Sequence, residues 1–437
     1  MDNPSLFFPR DLLLNIEKYL DRPEIIAIKG PRQAGKTTLL KQIKEILIAK
    51  LIPDKNIVYL TFEDKEILEK FVLDHKNFIK SFIQPSASKF FFLLDEYQYV
   101  PDGGQKLKLL YDIFPQTKFI ISGSSSLELV NQTARYLVGR VFSFYLYPLS
   151  FREYINVKTP NLLSTLTEKQ RLLRDFLFKG KGVNLKILSS PFIKDFKKLF
   201  EEYVTFGGYP EVVKTTDLEI KKEVIKNIIN TYLEKDIVGL LQIGDFLKFK
   251  SLAVMLAAQI GNLINYQQLT NDSGIHFNRL KNYLSNLEET YIIKILPPYY
   301  KNLTTELKKN PKIYFFDSGL RNYLVGNFSP LDNRSDKGQL VEMAGLTNLL
   351  FSFTDNLNYR FWRTTGGAEL DFVLKQGEII YPIEVKYSSF KRPQISRSFL
   401  SFINTYRPKT ALILTKDFIG SVTIKQTLVY FAPIYYF

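Results

Sequence analysis

Eight consecutive residues carry the strongest chemical signal in this chain. Gly30, Pro31, Arg32, Gln33, Ala34, Gly35, Lys36 and Thr37 spell G-x-x-x-x-G-K-[ST], and Thr38 extends the run. The glycines let a loop curl so that its N–H groups point inward at phosphate oxygens. Lys36 adds a point charge for the β- and γ-phosphates of a nucleotide, and the Thr37 hydroxyl can hold Mg²⁺. A second segment, residues 90–96, reads Phe-Phe-Phe-Leu-Leu-Asp-Glu. Its apolar run suits a strand buried on both faces, with two carboxylates at the carboxyl end, where α/β sheets bind ligands. Asp95 is expected in the Mg²⁺ shell and Glu96 as the group that polarises the attacking water. Residues 119–124 form another strand ending in small polar residues. There a hydroxyl can stand between the γ-phosphate and the water; Ser124 is the first choice and Ser122 the second. Arg140 precedes a late strand and can reach a neighbouring subunit's nucleotide to stabilise transferred charge, which would make the active form a homo-oligomer.

A second constellation lies near the other end. Glu369-Leu370-Asp371 is followed by Ile383-Glu384-Val385-Lys386. Side chains alternate along a strand, so Glu384 and Lys386 share one face while Ile383 and Val385 point to the core. Asp371 belongs to the preceding strand, joined through Gln376 and Gly377. Two carboxylates and a lysine in this arrangement can bind Mg²⁺ and activate water against a phosphodiester. Glu342, on a helix at 340–350, can complete that metal shell.

The elements that must position these groups fall into four regions. Residues 1–150 alternate strand-like runs (25–29, 57–62, 90–94, 119–122 and 141–146) with helical patterns, which predicts a parallel α/β sheet. Residues 151–245 read as helices and include a basic stretch, 169–198, expected as a solvated insertion. Residues 246–325 read as short helices and a hairpin: 266–271, a turn at Ser273-Gly274, a helix 276–289, and strands at 291–296 and 312–316. That is the pattern of a winged helix. Asn278, Arg279 and Lys281 would face a DNA groove, and nine Lys/Arg against four acids between 246 and 312 suit phosphate contacts. Residues 326–437 return to α/β, with strands at 369–374 and 381–387.

Composition sets the outer bounds. The chain has 437 residues, of which 45% are hydrophobic and 24% charged, enough apolar material for more than one core. No cysteine is present, which excludes disulfides, thiolate catalysis and cysteine zinc sites. The two histidines, His75 and His276, leave little for a metal cluster; His75 is expected exposed and His276 beside the recognition helix. Trp362 is expected in the core. A net charge of +15 suits a polyanionic partner and equally a lysine-rich surface. No run approaches a membrane span, the first residues do not suit a signal peptide, and a soluble cytoplasmic protein is expected.

The order GPRQAGKTTLL, FFLLDEYQYVP, IISGSSS, LVGRVFSFYLYPLSFREY, TFGGYPEVV, YLEKDI, IYFFDSGL and WRTTGGAELDFVL…IEVK resembles a prokaryotic family of AAA+ P-loop ATPases. The carboxy-terminal domain of that family has no known function. The resemblance covers almost the whole chain. It implies an AAA+ ATPase core with a helical lid, a winged helix and a carboxy-terminal α/β domain, with ATP and Mg²⁺ as cofactors. Lys36, Thr37, Asp95, Glu96, Ser124 and Arg140 then take the loop, metal, base, sensor and finger roles. ATP in preference to GTP rests on this resemblance alone. The last motif also resembles PD-(D/E)XK nucleases, with Asp371, Glu384 and Lys386 as D…ExK, although Leu370 stands where that pattern has proline. The function expected is ATP hydrolysis coupled to DNA binding, with DNA cleavage as a further activity. The alternative is an ATP-dependent signalling switch with an inert carboxy-terminal domain. Gly207-Gly208-Tyr209-Pro210 reads as a structural turn in the lid.

Overall fold

The computed structural model describes residues 8–84, 89–124, 136–232, 246–300, 306, 309–352 and 357–437. The motif at 232–237 therefore lies almost wholly outside the described residues. The chain forms two compact units. One comprises residues 1–148, 230–242 and 289–292, and the other comprises 149–229, 243–288 and 293–437.

The first unit is built on a five-stranded parallel sheet. Its strands are β1 (Ile25–Lys29), β2 (Ile57–Thr61), β3 (Phe90–Asp95), β4 (Thr117–Gly123) and β5 (Val141–Tyr145), in the order β2-β3-β4-β1-β5. Every residue of β1, β3 and β4 is buried, as strands covered on both faces require. Two apolar clusters lie on the two faces. Phe90, Phe92, Leu94, Phe119 and Ile121 contribute to one; Ile26, Ile28, Leu39, Leu40, Ile43, Phe91 and Leu93 contribute to the other. Alternation along β3 sends Phe90 and Phe92 one way and Phe91 and Leu93 the other. The helix Lys36–Ala49 buries Leu39, Leu40, Ile43 and Leu47, the face expected from their spacing. The strands lie where the sequence pattern places them, with ends differing by one or two residues.

The second unit contains a six-stranded sheet of order β12-β13-β11-β10-β9-β8. Its strands are β8 (Asn358–Arg363), β9 (Glu369–Gln376), β10 (Ile379–Lys386), β11 (Thr410–Thr415), β12 (Gly420–Ile424) and β13 (Thr427–Pro433). β10, β11 and β13 are parallel; β8, β9 and β12 join antiparallel. Trp362 packs in the core of this sheet with Phe402 and Tyr406, as expected. The helix Lys337–Ser352 lies over β9 and β10. A methyl group on Gly345 would sit 3.6 Å from Val385 and 3.7 Å from Phe372, ordinary packing contact.

The same unit holds the helices Phe246–Ala258, Tyr266–Ser273 and Phe277–Glu289 and the antiparallel hairpin of β6 (Ile293–Leu296) and β7 (Lys312–Phe315). The segment after β6 is stitched to the edge of the large sheet. Tyr299 N–H bonds Phe361 O at 2.5 Å, and Phe361 N–H bonds Pro297 O at 3.2 Å.

Two expectations need correction. The basic stretch 169–198 is not a solvated insertion. It lies on the helices Leu163–Lys179, Leu185–Leu188 and Ile193–Phe206, which bury Leu173, Phe176, Leu177, Leu188 and Phe196. Phe176 rests on Tyr430 with ring centroids 4.3 Å apart. Lys169 is itself buried and donates to Ile187 O, and most of the other basic side chains lie on the outer face of these packed helices. His75 is also not simply exposed. It opens the helix His75–Phe82, is half-buried against Phe71, and burial lowers its pKa.

The glycine pair at 207–208 is a close approach rather than a plain turn. Asp317, buried at the N-cap of Ser318–Leu324, accepts from Gly208 N–H at 2.7 Å and Leu320 N–H at 3.0 Å. A Cβ on Gly207 would lie 2.2 Å from Asp317 Oδ1, and one on Gly208 would lie 2.2 Å from Leu149 O. Only glycine fits there. Burial raises the Asp317 pKa to about 6, against the lowering effect of those backbone N–H groups.

Candidate functional site

The phosphate-loop pattern sits between β1 and the helix Lys36–Ala49. Gln33 (φ 58°) and Gly35 (φ 99°) adopt left-handed backbone, which curls the loop. Gly30 is required for a different reason: a Cβ would meet Leu146 O at 2.0 Å, where the chain leaving β5 passes the loop. Arg10 fastens the same region. Its guanidinium donates to Ala34 O at 2.7 Å and to Tyr147 O at 2.6 Å. Arg10 was not expected from sequence, since nothing near it in the chain marks its target.

Lys36 is buried with its ammonium 3.1 Å from Gly30 O and 3.0 Å from Pro31 O, folded over the loop that it would share with phosphate. Arg32 donates to the Tyr99 hydroxyl at 2.7 Å. Asp95 ends β3 and gathers four donors, none of them charged. Thr37 Oγ1 donates to Oδ2 at 2.7 Å and the Tyr59 hydroxyl to Oδ2 at 2.9 Å. Glu96 N–H donates to Oδ1 at 3.1 Å, and the Ser122 hydroxyl donates to the same oxygen. Tyr59 was missed by sequence reasoning, although its place on β2 opposite Leu93 could have found it.

Thr37 and Asp95 thus meet at one point, with hydroxyl and carboxylate oxygens of the kind Mg²⁺ takes. The donor set fits the ion that the nucleotide reading implies. Glu96 is held in left-handed backbone (φ 52°), a strained setting for a residue with a Cβ, and its carboxylate accepts from Gln98 Nε2. The two serines differ in their surroundings. Ser122, inside β4, touches Asp95, whereas Ser124 lies just beyond the strand, buried. Arg140 is partly exposed, 3.5 Å from Asp112.

The second constellation brings Asp371, Glu384 and Lys386 into one neighbourhood. Asp371 and Glu384 stand one step past the Ile383–Phe372 pair of the β9–β10 ladder. Lys386 Nζ lies 2.8 Å from Glu384 Oε1, which places those two side chains on one face, as alternation requires. Ser396 Oγ donates to Glu384 Oε2 at 3.1 Å, and Val385 N–H donates to Asp371 Oδ2 at 2.7 Å. Glu342, however, is engaged by β7. It accepts from Lys312 Nζ at 3.1 Å and from the Tyr314 hydroxyl at 2.5 Å. Lys312 also pairs with Glu369 at 2.6 Å, and its side chain is 2% exposed.

Burial opposes the Lys312 charge, yet Glu342, Asp371 and Glu369 together hold its pKa above the usual lysine value. Burial, reinforced by Glu342, holds the Asp371 carboxyl well above the carboxylate range, with Lys312 acting the other way. Among the described residues no group of three or more metal-ligating side chains assembles. A lysine ammonium stands beside Glu342, one of the three acids expected to hold Mg²⁺ with Asp371 and Glu384. Lys312 was not foreseen, being 30 residues from Glu342 and marked by no motif.

On the helix Phe277–Glu289, His276, Phe277, Asn278, Arg279 and Lys281 are exposed, while Leu280, Tyr283, Leu284 and Leu287 are buried. Among the described residues no helix is long and apolar enough to cross a membrane.

Comparison with known proteins gives three family matches in succession. Residues 22–155 match the AAA domain, residues 197–331 a domain of unknown function (DUF8612), and residues 337–434 another domain of unknown function (DUF4143). An uncharacterised protein of Haemophilus influenzae is 28% identical over 320 residues, 72% of each chain. One of Mycobacterium tuberculosis is 26% identical over 399 residues, 90% of this chain and 76% of that one. One of Methanocaldococcus jannaschii is 28% identical over 375 residues, 82% of this chain and 74% of that one. Among solved structures, the Aeropyrum pernix ORC2 protein overlaps 72% of this chain and 90% of its own, at 12% identity and a TM-score of 0.35. Neither function nor partner carries over at that similarity. The phosphate loop described above falls within the match to the AAA domain at residues 22–155.

Proposed function

We propose that this chain binds ATP with Mg²⁺ at Gly30–Thr37 and hydrolyses it by water attack on the γ-phosphate. The observation that carries the reading is the 2.7 Å contact between the Thr37 hydroxyl and Asp95, at the mouth of the phosphate loop. Lys36 leaves the loop carbonyls to neutralise the β- and γ-phosphates. Thr37 and Asp95 hold Mg²⁺, which supplies charge neutralisation across those phosphates. Glu96, aimed by its strained backbone and by Gln98, orients the water and takes its proton. Ser122 keeps Asp95 in place. Arg140, if delivered by a second copy of the chain, stabilises the transferred charge.

The exposed face of Phe277–Glu289, with Asn278, Arg279 and Lys281, supports DNA as the object of the ATPase through a winged-helix contact. ATP turnover with and without single- and double-stranded DNA, using Lys36→Ala as blank, tests this. Stimulated turnover that is lost in Arg279→Ala supports DNA; unchanged turnover removes it. A second reading, a switch whose ATP state governs a protein partner, is favoured by one observation. Glu342, Glu369 and Glu384 of the carboxy-terminal acid cluster are each paired with a lysine, which suits an inert domain more than a nuclease. Slow turnover with tightly retained nucleotide, indifferent to DNA, would select it.

A further inference from the structure

The acid cluster of the second unit holds four carboxylates. Glu342 comes from the helix Lys337–Ser352, Glu369 and Asp371 from β9, and Glu384 from β10. A divalent ion needs oxygens of several such groups around one centre at about 2.0–2.6 Å. Each of these carboxylates instead has a proton donor from the protein itself. Lys312 reaches Glu369 at 2.6 Å and Glu342 at 3.1 Å. Tyr314, two residues along β7 and so on the same face, reaches Glu342 at 2.5 Å. Lys386 and Ser396 take the two oxygens of Glu384, and Val385 N–H takes Asp371 Oδ2.

Lys312 is not a surface lysine that has folded over. Its side chain is 2% exposed, its ammonium lies 5.4 Å over the Phe361 ring, and its backbone is pinned. Ile313 O accepts from Gly261 N–H at 2.8 Å, and Lys312 pairs across an isolated bridge with Leu263. A buried charge is retained only where opposite charge and hydrogen bonds compensate its lost hydration. Removing Lys312 would leave Glu342 with the Tyr314 hydroxyl as its donor and Glu369 with Arg363 at 2.9 Å, two carboxylates short of the cation they share.

We propose that Lys312 is the resident cation of this cluster: the hairpin strand β7 supplies an ammonium where the Asp371…Glu384-x-Lys386 pattern calls for a metal, which closes the site to divalent ions. The acids then serve as the socket that fastens the hairpin to the carboxy-terminal sheet. The reading is independent of ATP hydrolysis at the other unit and holds whether or not DNA is the partner.

Mn²⁺ uptake by the full, nucleotide-free chain tests it, measured from the loss of the free-ion electron paramagnetic resonance signal. Wild type and Asp371→Asn should take up the same amount, because the cluster binds none. Lys312→Met, which keeps the length and removes the charge, should take up one further ion per chain. The gain should vanish in the Lys312→Met, Asp371→Asn double variant. Mn²⁺ should raise the melting temperature of Lys312→Met by several degrees more than that of wild type. Two results would overturn the proposal in wild type alone: an Mn²⁺ equivalent lost on Asp371→Asn, or Mg²⁺- or Mn²⁺-dependent DNA cutting that Asp371→Asn abolishes. A folded Lys312→Met that gains no ion would overturn it as well. Should Lys312→Met not fold, the wild-type comparison decides, and Lys312→Arg, which restores the charge, should fold and bind no extra ion.

Discussion

Two groups of carboxylates lie out of full contact with solvent in this molecule, and they are compensated in opposite ways. Asp95 is surrounded by neutral donors: three hydroxyls and a backbone N–H. Glu342, Glu369 and Glu384 are matched by ammonium groups at 2.6–3.1 Å. Neutral donors orient a carboxylate but leave its charge for an arriving cation. A fixed ammonium cancels the charge and takes the lone pairs. The same residue type therefore prepares one site for exchange and becomes part of the framework in the other.

The sharpest way to break this comparison is to remove the proton acceptor of the first site. Glu96→Gln should lower ATP turnover by about 10²- to 10⁴-fold while nucleotide still binds. Normal single-turnover rates would assign the base elsewhere. Deleting one buried lysine from each site should next give different losses. Lys312→Met should cost about 3–5 kcal/mol in the unfolding of its unit, the scale for breaking a buried pair, and leave nucleotide affinity alone. Lys36→Ala should weaken nucleotide binding by about 100-fold, about 3 kcal/mol, with little change in melting temperature. A Lys36→Ala protein that melts early and binds well would reverse the contrast.

Asp317 offers a third mode of compensation, by backbone N–H groups alone, and its signature is pH dependence. Its pKa is raised from 3.8 to about 6, so the folded chain holds this proton more tightly than the unfolded chain. Its contribution to stability is full below about pH 4 and is lost as pH rises through about 6, at most about 3 kcal/mol. Melting curves between pH 4 and 7 should show that slope in wild type and lose it in Asp317→Asn; an unchanged slope would assign it to another group. The smallest effect sharpens the first site. Ser122→Ala should reduce turnover by several-fold, about 1 kcal/mol, and by more than Ser124→Ala; the reverse order would restore Ser124 to the sensor position.

Much of the first unit was legible because its signals are local. The loop pattern, the apolar run before Asp95 and the helix face of Leu39, Leu40 and Ile43 each lie within a few turns of chain, and the strands form where the pattern puts them. The contact between Ser122 and Asp95 was not local. It depended on β4 continuing to Gly123, so that Ser122 still lies within the strand and meets Asp95. In the second unit the helices and strands were readable but the electrostatics were not. Gly208 meets its carboxylate 109 residues away, and Lys312 meets Glu342 from another element. Residues 169–198 were misjudged by their charge count, although Leu173, Phe176 and Leu177 carry the spacing of a buried helix face.

The position of Lys312 also bears on how this protein can be dissected. The match to the carboxy-terminal family begins at 337, whereas Lys312 and Tyr314 lie within the preceding match at 197–331. A fragment cut at the family border would carry four acids without their main counter-charge. It should be less stable than its parent, more stable in acid than in base, and prone to collect stray metal ions. The heritable module, judged by its charges, is the pair of domains together, and recombination or expression across residue 331 would separate a lock from its key.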